Sequence, residues 1–188
     1  MAQSGDKQLS DVSWTPYVTY TSNYSKVIQT QVRFTELGGG IFLPFGFSAG
    51  FNYQYLNSEL RTRYLAQNEQ DRININLSYA SLVGGFTLYQ IEKITFRLEM
   101  AAGLGSLKRK HTLPPLNKKN NLAVLEPAME LKYMILDWLS ITGKVGKRWF
   151  SIAGQPKGSD FSSTKINLGF SIAPVPMYHA IKNKTLFN

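Results

Sequence analysis

Apolar residues alternate with polar or small ones along much of this chain, in about eight segments separated by turns or polar loops. The segment from Ile94 to Leu104 shows the pattern best, since its even positions are all apolar while its odd positions include Arg97 and Glu99. Successive side chains of a strand point to opposite faces, so one face here is apolar throughout and the other carries charge. Such a strand fits a soluble sandwich, or a small membrane barrel with lipid outside and a packed polar interior.

The alternation predicts eight strands, and their connections differ in length. The strands cover about residues 13–21, 31–43, 47–63, 72–89, 94–110, 122–136, 138–152 and 164–174. A phase slip near Gly84 and Gly85 predicts a β-bulge in the fourth strand. Connections after even-numbered strands are short, whereas those after odd-numbered strands, about 22–30, 66–71, 112–121 and 154–163, are longer and polar. Short turns on one side and long loops on the other are typical of an up-and-down membrane barrel, whose turns face the periplasm.

Strand length decides between the two architectures. Strands of soluble sheets average about five or six residues, whereas a tilted membrane strand needs roughly nine to eleven. The segments belong to the longer class, so we predict an all-β fold, a closed eight-stranded antiparallel up-and-down transmembrane β-barrel. A soluble lipocalin-like lipid binder, which also has eight strands, is the alternative. We expect a flexible periplasmic N-terminus over residues 1–12, the barrel over 13–174 and a periplasmic C-terminal tail over 175–188.

Composition narrows the class of protein further. The length of 188 residues fits one domain, and the mean hydropathy of -0.19 excludes a helical membrane protein. The aromatic fraction of 13% fits the aromatic girdles of a membrane barrel. The opening residues do not have the pattern of a signal peptide, and the barrel interpretation requires that one has been removed. The location expected is therefore a bacterial outer membrane.

Charge and cysteine content argue against several classes of function. The net charge of +9 is concentrated in loops, and no nucleic-acid-binding signature accompanies it, so we expect no nucleic acid partner. The chain has no cysteine and only two histidines, which argues against a metal site, and nothing in it indicates a cofactor.

Charged residues inside the strands form the sharpest candidate site. Strand parity turns four acids and four bases away from the apolar face, with Asn52, Asn74, Asn76 and Asn167 beside them. They are Glu36, Arg97, Glu99, Glu126, Glu130, Lys132, Lys144 and Arg148. An eight-stranded barrel is only wide enough for side chains to fill its interior, and buried charges must be paired. We therefore expect a plugged polar lumen held by a neutral charge network, with a narrow proton or ion path as the alternative.

Two further candidates lie near the long loops. Lys108, Arg109 and Lys110 fall where the fifth strand emerges, and cations there suit the phosphates of lipopolysaccharide. His111 with Ser106 is the one pair that fits a lipid-A-modifying, deacylase-like enzyme, but no spacing singles it out. We predict no catalytic residue and a non-enzymatic protein.

The last strand, Ile166-Asn167-Leu168-Gly169-Phe170-Ser171-Ile172, resembles the C-terminal signal by which outer-membrane barrels reach their insertion machinery. With the eight-segment pattern, the chain resembles small OmpX/OmpA-type barrels, in particular the PorT/PorG-like barrels of Bacteroidetes. That resemblance implies a non-enzymatic barrel that contacts outer-membrane lipid and other outer-membrane or periplasmic proteins, as a structural subunit of a secretion or envelope-biogenesis assembly. The chain departs from the family by continuing past the last strand. Its tail carries four candidate partner-docking residues, Tyr178, Ile181, Leu186 and Phe187.

Overall fold

The computed structural model describes residues 14–27, 30–57, 60–62, 73–111, 117–152 and 163–182, which form nine strands and one helix. The strands are β1 Thr15–Val27, β2 Thr30–Phe42, β3 Phe47–Leu56, β4 Leu60–Thr62, β5 Ile73–Ile91, β6 Ile94–His111, β7 Asn117–Leu136, β8 Leu139–Ile152 and β9 Ser163–Ile172. A 3-10 turn, Pro44–Gly46, joins β2 to β3, and the helix α1, Pro174–Lys182, follows β9.

The strands close into one antiparallel barrel. Apart from β3 and β4, each strand pairs with its neighbour along the chain, and β1 pairs with β9 to complete the ring. Both β3 and β4 pair with β5, so together they make one interrupted strand of the wall and the barrel has eight. The predicted eight-stranded up-and-down barrel is confirmed.

The strand register sets the tilt of the barrel wall. A row of paired residues that starts at Arg33 in β2 passes through every strand of the wall and returns to β2 at Leu43, ten residues further along. With about 3.3 Å per residue and about 4.8 Å between strands, this stagger gives a tilt of roughly 40° and an advance of about 2.5 Å per residue along the barrel axis. About ten residues therefore cross an apolar belt roughly 25 Å tall. Strands β5, β6 and β7, with 19, 18 and 20 residues, extend beyond it on the loop side.

Two predicted loops are partly strand. The connection expected over 22–30 is shorter, since β1 runs to Val27 and β2 begins at Thr30. The loop expected over 112–121 is likewise shortened, because β7 begins at Asn117. These strand ends carry polar residues on both faces, so their alternation is weak although their backbone pairing is regular.

The predicted bulge at Gly84 and Gly85 is wrong. These residues pair regularly with Met100 and Glu99, and the irregularity lies between Thr87 and Tyr89. The apolar phase changes for another reason: on the loop side, β5 turns Ile75, Leu77 and Tyr79 inward, while further along the strand Leu82, Phe86 and Leu88 turn outward. Where the wall rises above the belt, water lies outside and the apolar residues fill the interior instead.

This reversal also corrects the expected position of one asparagine. Asn76 is exposed on the outer face and does not lie in the lumen. Asn74 lies in β5 opposite Lys110, and its side chain is outside the described part. Asn52 and Asn167 are buried inside the barrel.

The outer face carries a wide belt of exposed apolar side chains. It includes Val18, Leu37, Phe51, Leu82, Phe86, Leu98, Met100, Leu104, Met129, Leu131, Ile141, Val145, Leu168 and Phe170. Trp14, Phe45 and Tyr89 border it near the turns, and Tyr24 and Trp149 lie toward the loops. Soluble monomers rarely expose apolar patches of more than a few hundred Å², so the belt argues against the soluble lipid binder.

The segment after β9 forms α1 and contacts β1 at the turn side of the barrel. Its prolines occupy the first and third helical positions, where a missing N–H is tolerated. Within the described part of the chain, no helix is long and apolar enough to cross a membrane.

Candidate functional site: the filled lumen

The lumen contains three layers of side chains, stacked from the turn side to the loop side. We call them the turn-side network (Arg97, Glu99, Glu130 and Lys144), the central network (Glu126, Arg148 and Lys165 with Gln54 and Tyr79) and the loop-side apolar cluster. The last comprises Val32, Phe34, Ile75, Leu77, Leu107, Leu122, Val124, Phe150 and Ile152.

In the turn-side network, two acids and two bases alternate. Arg97 Nη1 lies 3.0 Å from Glu130 and 3.7 Å from Glu99. Lys144 Nζ lies 2.7 Å from Glu99 and 3.7 Å from Glu130. Arg97 also donates a hydrogen bond to Ser48 Oγ. Each charge therefore faces two opposite charges, as a dry site requires.

The central network is organised around one carboxylate. Glu126 accepts hydrogen bonds from Arg148 Nε, from Lys165 Nζ at 3.0 Å and from Gln54 Nε2 at 3.0 Å. Tyr79 Oη donates at 2.7 Å to Glu126 Oε1, which also accepts from Arg148 Nε, while Lys165 and Gln54 donate to Oε2. Strands β3, β5, β7, β8 and β9 all contribute, so this carboxylate ties together most of the barrel wall.

Arg148 joins the central network to the apolar cluster. Its guanidinium lies 4.4 Å from the Phe34 ring centroid, 5.6 Å from that of Tyr79 and 5.7 Å from that of Phe150. Among the described residues it is the largest fully buried side chain. A planar cation can stack on aromatic faces while its edge donates hydrogen bonds, so Arg148 suits this boundary better than a lysine would.

The remaining predicted lumen residues also lie inside the barrel. Glu36 is buried and accepts from Asn52 Nδ2 at 2.9 Å and Asn167 Nδ2 at 3.3 Å. Lys132 lies near the turns, with Nζ 4.6 Å from the Phe42 ring centroid. Sequence reasoning missed Lys165, although its alternation with Ile166 puts it on the inner face, and the described lumen therefore has five bases for four acids.

Residues predicted to act outside the lumen are described in part. Lys108 is exposed on β6 opposite Lys119, whereas Arg109 and Lys110 are described only by their strand register. Tyr178 is 62% exposed on α1. Ile181 lies in α1 without a described side chain, and Leu186 and Phe187 lie outside the described residues.

The one candidate catalytic pair does not come together. Ser106 and His111 lie five positions apart on the same continuous strand, which separates them by roughly 16 Å. Within the described part of the chain, no three His, Asp or Glu side chains are grouped so as to hold a metal.

No protein-family model matches the chain, and no curated protein matches its sequence. Solved structures do share its fold. Neisserial surface protein A superposes with a TM-score of 0.63 at 8% identity, covering 87% of this chain and 99% of that one. A major outer membrane protein from Thermus thermophilus gives 0.64 at 10% identity, covering 85% and 98%.

A third similar structure is Ail, the attachment invasion locus protein of Yersinia pestis, in complex with the heparin analogue sucrose octasulfate. It gives a TM-score of 0.55 at 12% identity and covers 85% of this chain and 96% of that one. The chain thus has the fold of small eight-stranded outer-membrane barrels. The shared fold and the apolar belt both support the expected location in a bacterial outer membrane.

Proposed function

We propose that this protein is a non-enzymatic structural barrel of the bacterial outer membrane that acts as a subunit of a larger envelope assembly. The observation that carries the proposal is the filled lumen: side chains from most of the wall occupy its interior, and the described residues leave no continuous path for a solute through it. What remains available for function is the outer surface of the barrel and its two ends. The resemblance of the eight-segment pattern and its last strand to small OmpX/OmpA-type barrels, in particular PorT/PorG-like ones, supports a role in secretion or envelope biogenesis.

The helix α1 is the surface that we assign to the partner. Val175 and Tyr178 lie three positions apart on the helix and are 48% and 62% exposed. Because the short turns of such barrels face the periplasm, α1 is assigned to that side. An apolar stripe on a short terminal helix is best covered by a partner protein, since the helix is too short to anchor the chain by itself.

Photocrosslinking in cells tests this assignment. A benzoylphenylalanine at Tyr178 is expected to give one discrete adduct with another envelope protein, and a second change, Val175→Ser, is expected to remove it. The same photoreactive residue at Glu92, an exposed turn position, is the control. If Tyr178 gives no adduct and the gently extracted protein is a free monomer, the barrel acts alone.

The membrane location itself has a simpler test. The purified protein is expected to need detergent to remain dispersed, and to migrate differently on gels with and without heating, because a closed ring of strands has no free edge at which to unravel. A protein that stays monodisperse without detergent would instead be a soluble binder.

A second proposed contact, with lipopolysaccharide phosphates, is supported by the register of β6 and β7. Lys108 and Lys119 are exposed and directly opposite each other, and Arg109 pairs in register with Lys118. Like charges opposite each other destabilise a sheet, so an anion that bridges them would relieve the repulsion. Sucrose octasulfate, seen with Ail, is likewise a dense anion.

We expect refolding into vesicles that contain lipopolysaccharide to be slower for a Lys108→Gln/Lys119→Gln variant, and the difference to shrink as salt is raised. Lys93→Gln, at an exposed turn on the opposite side, is the matched control. Equal refolding rates for the two variants would show that Lys108 and Lys119 make no such contact.

A further inference from the structure

The turn-side mouth of the lumen is an open cavity, in contrast to the filled interior. It has a volume of about 470 Å³, and we call it the turn-side vestibule; its walls include Phe42, Thr95, Lys132, Met134, Trp138 and Pro176 of α1. The cavity beneath it measures only about 10 Å³, and Phe42, Arg97, Lys132 and Ser171 border both. These four residues therefore form the floor of the vestibule.

Lys132 is an uncommitted cation on this floor. The Phe42 ring lies 4.6 Å from Lys132 Nζ and 4.7 Å from the Arg97 guanidinium. Arg97 is paired with Glu130, whereas no described carboxylate lies within ion-pair distance of Lys132. Its partners across the neighbouring strands are Thr95 and Thr142, which are neutral.

Trp138 adds an unused hydrogen-bond donor to the same cavity. Its Nε1 is buried and has no acceptor among the described residues. A buried indole N–H normally has a partner. Much of the remaining wall, including Phe42, Met134 and Pro176, is apolar. The vestibule thus offers one cation without an ion-pair partner and one N–H, on a wall of mixed apolar and polar side chains that also includes the exposed turn acid Asp137.

We propose that the turn-side vestibule binds an amphipathic monocarboxylate, a molecule or chain end with one carboxylate on an apolar body. One free cation matches one negative charge, whereas a phosphate monoester carries nearly two. The volume falls within the range of small-ligand pockets, which are mostly apolar with a few placed polar groups. Lys132 Nζ and Trp138 Nε1 donate to the two carboxylate oxygens, and the apolar walls cover the body. This site is separate from the α1 surface assigned to a partner, and it does not depend on one.

Indole N–H resonances of the full chain in lipid nanodiscs provide the test. The chain has three tryptophans, and Trp138→Phe assigns the signal of interest. The probes are N-acetyl-Ala-Ala-Phe with a free carboxylate, the same peptide as its C-terminal amide, and 4-phenylbutyrate. We expect the free acid to shift the Trp138 signal saturably, while the amide does not and the Trp149 signal stays in place. A response to phenylbutyrate as well assigns recognition to any carboxylate on an apolar body, and a response to the peptide acid alone assigns it to chain ends.

Two variants and a control make the result specific. Lys132→Gln is expected to weaken binding of the acid about tenfold or more, as loss of a charged hydrogen bond implies. Ser140→Leu, at a buried position on the vestibule wall, is expected to block binding while leaving Lys132 in place. Lys147→Gln, on the outer face beside Trp149, is the matched control and is expected to bind normally. Equal shifts with acid and amide, or unchanged affinity in folded Lys132→Gln and Ser140→Leu, would overturn the proposal.

Discussion

Glu126 accepts hydrogen bonds from four buried side chains of the central network. Replacing it with Gln keeps its shape but leaves Arg148 and Lys165 without a carboxylate among the described residues. Breaking a buried ion pair by removing one partner costs about 3–5 kcal/mol, so we expect Glu126→Gln to lower the free energy of unfolding by about 3 kcal/mol or more. Urea unfolding in lipid vesicles measures this.

The exposed turn acid Asp137 provides the control, since Asp137→Asn is expected to change stability by less than about 0.5 kcal/mol. If Glu126→Gln and Asp137→Asn prove equally mild, the lumen is wetter than its contacts indicate and Glu126 does not organise it.

Gly40 is required by close packing inside the wall. A Cβ there would lie 2.7 Å from Gly50 Cα and 2.9 Å from Tyr17 Oη, whereas a Cβ at Gly84 meets nothing within 4 Å. We expect Gly40→Ala to destabilise the barrel by about 1–3 kcal/mol through overpacking, and Gly84→Ala to be nearly neutral. The same unfolding measurement compares them, and equal costs would contradict this account of the Tyr17 contact.

The sequence predicts the inner position of a charged residue well where its apolar neighbours face lipid. Strand parity alone puts Arg97, Glu126 and Lys144 inside, and it applies equally to Lys165, although the apolar signal of the last strand draws attention away from that residue. Strand parity cannot predict which of the inward-facing charged residues form ion pairs. That depends on the stagger between strands, which brings Lys165 of β9 to Glu126 of β7 across the lumen.

At the scale of the element, the loop-side ends of the strands behave as a small soluble barrel. Leu107 is fully buried in the apolar cluster, whereas Leu104 on the same strand is 73% exposed. We expect Leu107→Ala to cost about 2–5 kcal/mol, as for a packed core, and to raise hydrogen exchange at the loop-side ends of β5 and β6.

Leu104→Ala is the matched change, and it is expected to cost less because lipid fills the space that the side chain leaves. If both substitutions have the same effect, the loop-side cluster does not act as a core.

Strand β5 shows why the extent of a strand is easier to predict than which of its two faces points into the barrel. The alternation of apolar and polar residues predicts the extent of β5 closely, but it does not show whether lipid or water lies outside the wall. It therefore places Ile75 and Leu77 on the outer face, and the change of apolar phase along β5 resembles a bulge. Helix α1 escapes prediction for a related reason. It is only nine residues long and contains two prolines, and the sequence there is as compatible with an extended tail.

At the scale of the whole molecule, the three layers of side chains fill the barrel, so its described interior is not an open pore. Every described carboxylate in the charged layers is paired, and apolar side chains fill most of the interior on the loop side, so the described residues offer an ion no continuous polar path. Eight strands leave an interior just wide enough for side chains, and here Arg148 and the rings around it occupy the narrow centre.

We therefore expect planar-bilayer recordings of the native protein to show no steady conductance. An Arg148→Ala/Phe34→Ala variant removes the largest buried side chain and the ring closest to it, and brief openings are expected to become more frequent in that variant. Asp137→Asn, outside the filled layers, is expected to stay silent like the native protein. Stable channels of defined size in the native barrel would show that water threads the charged layers. The ion pairs around Glu126 and Glu130 would then line a conduction path and not a plug.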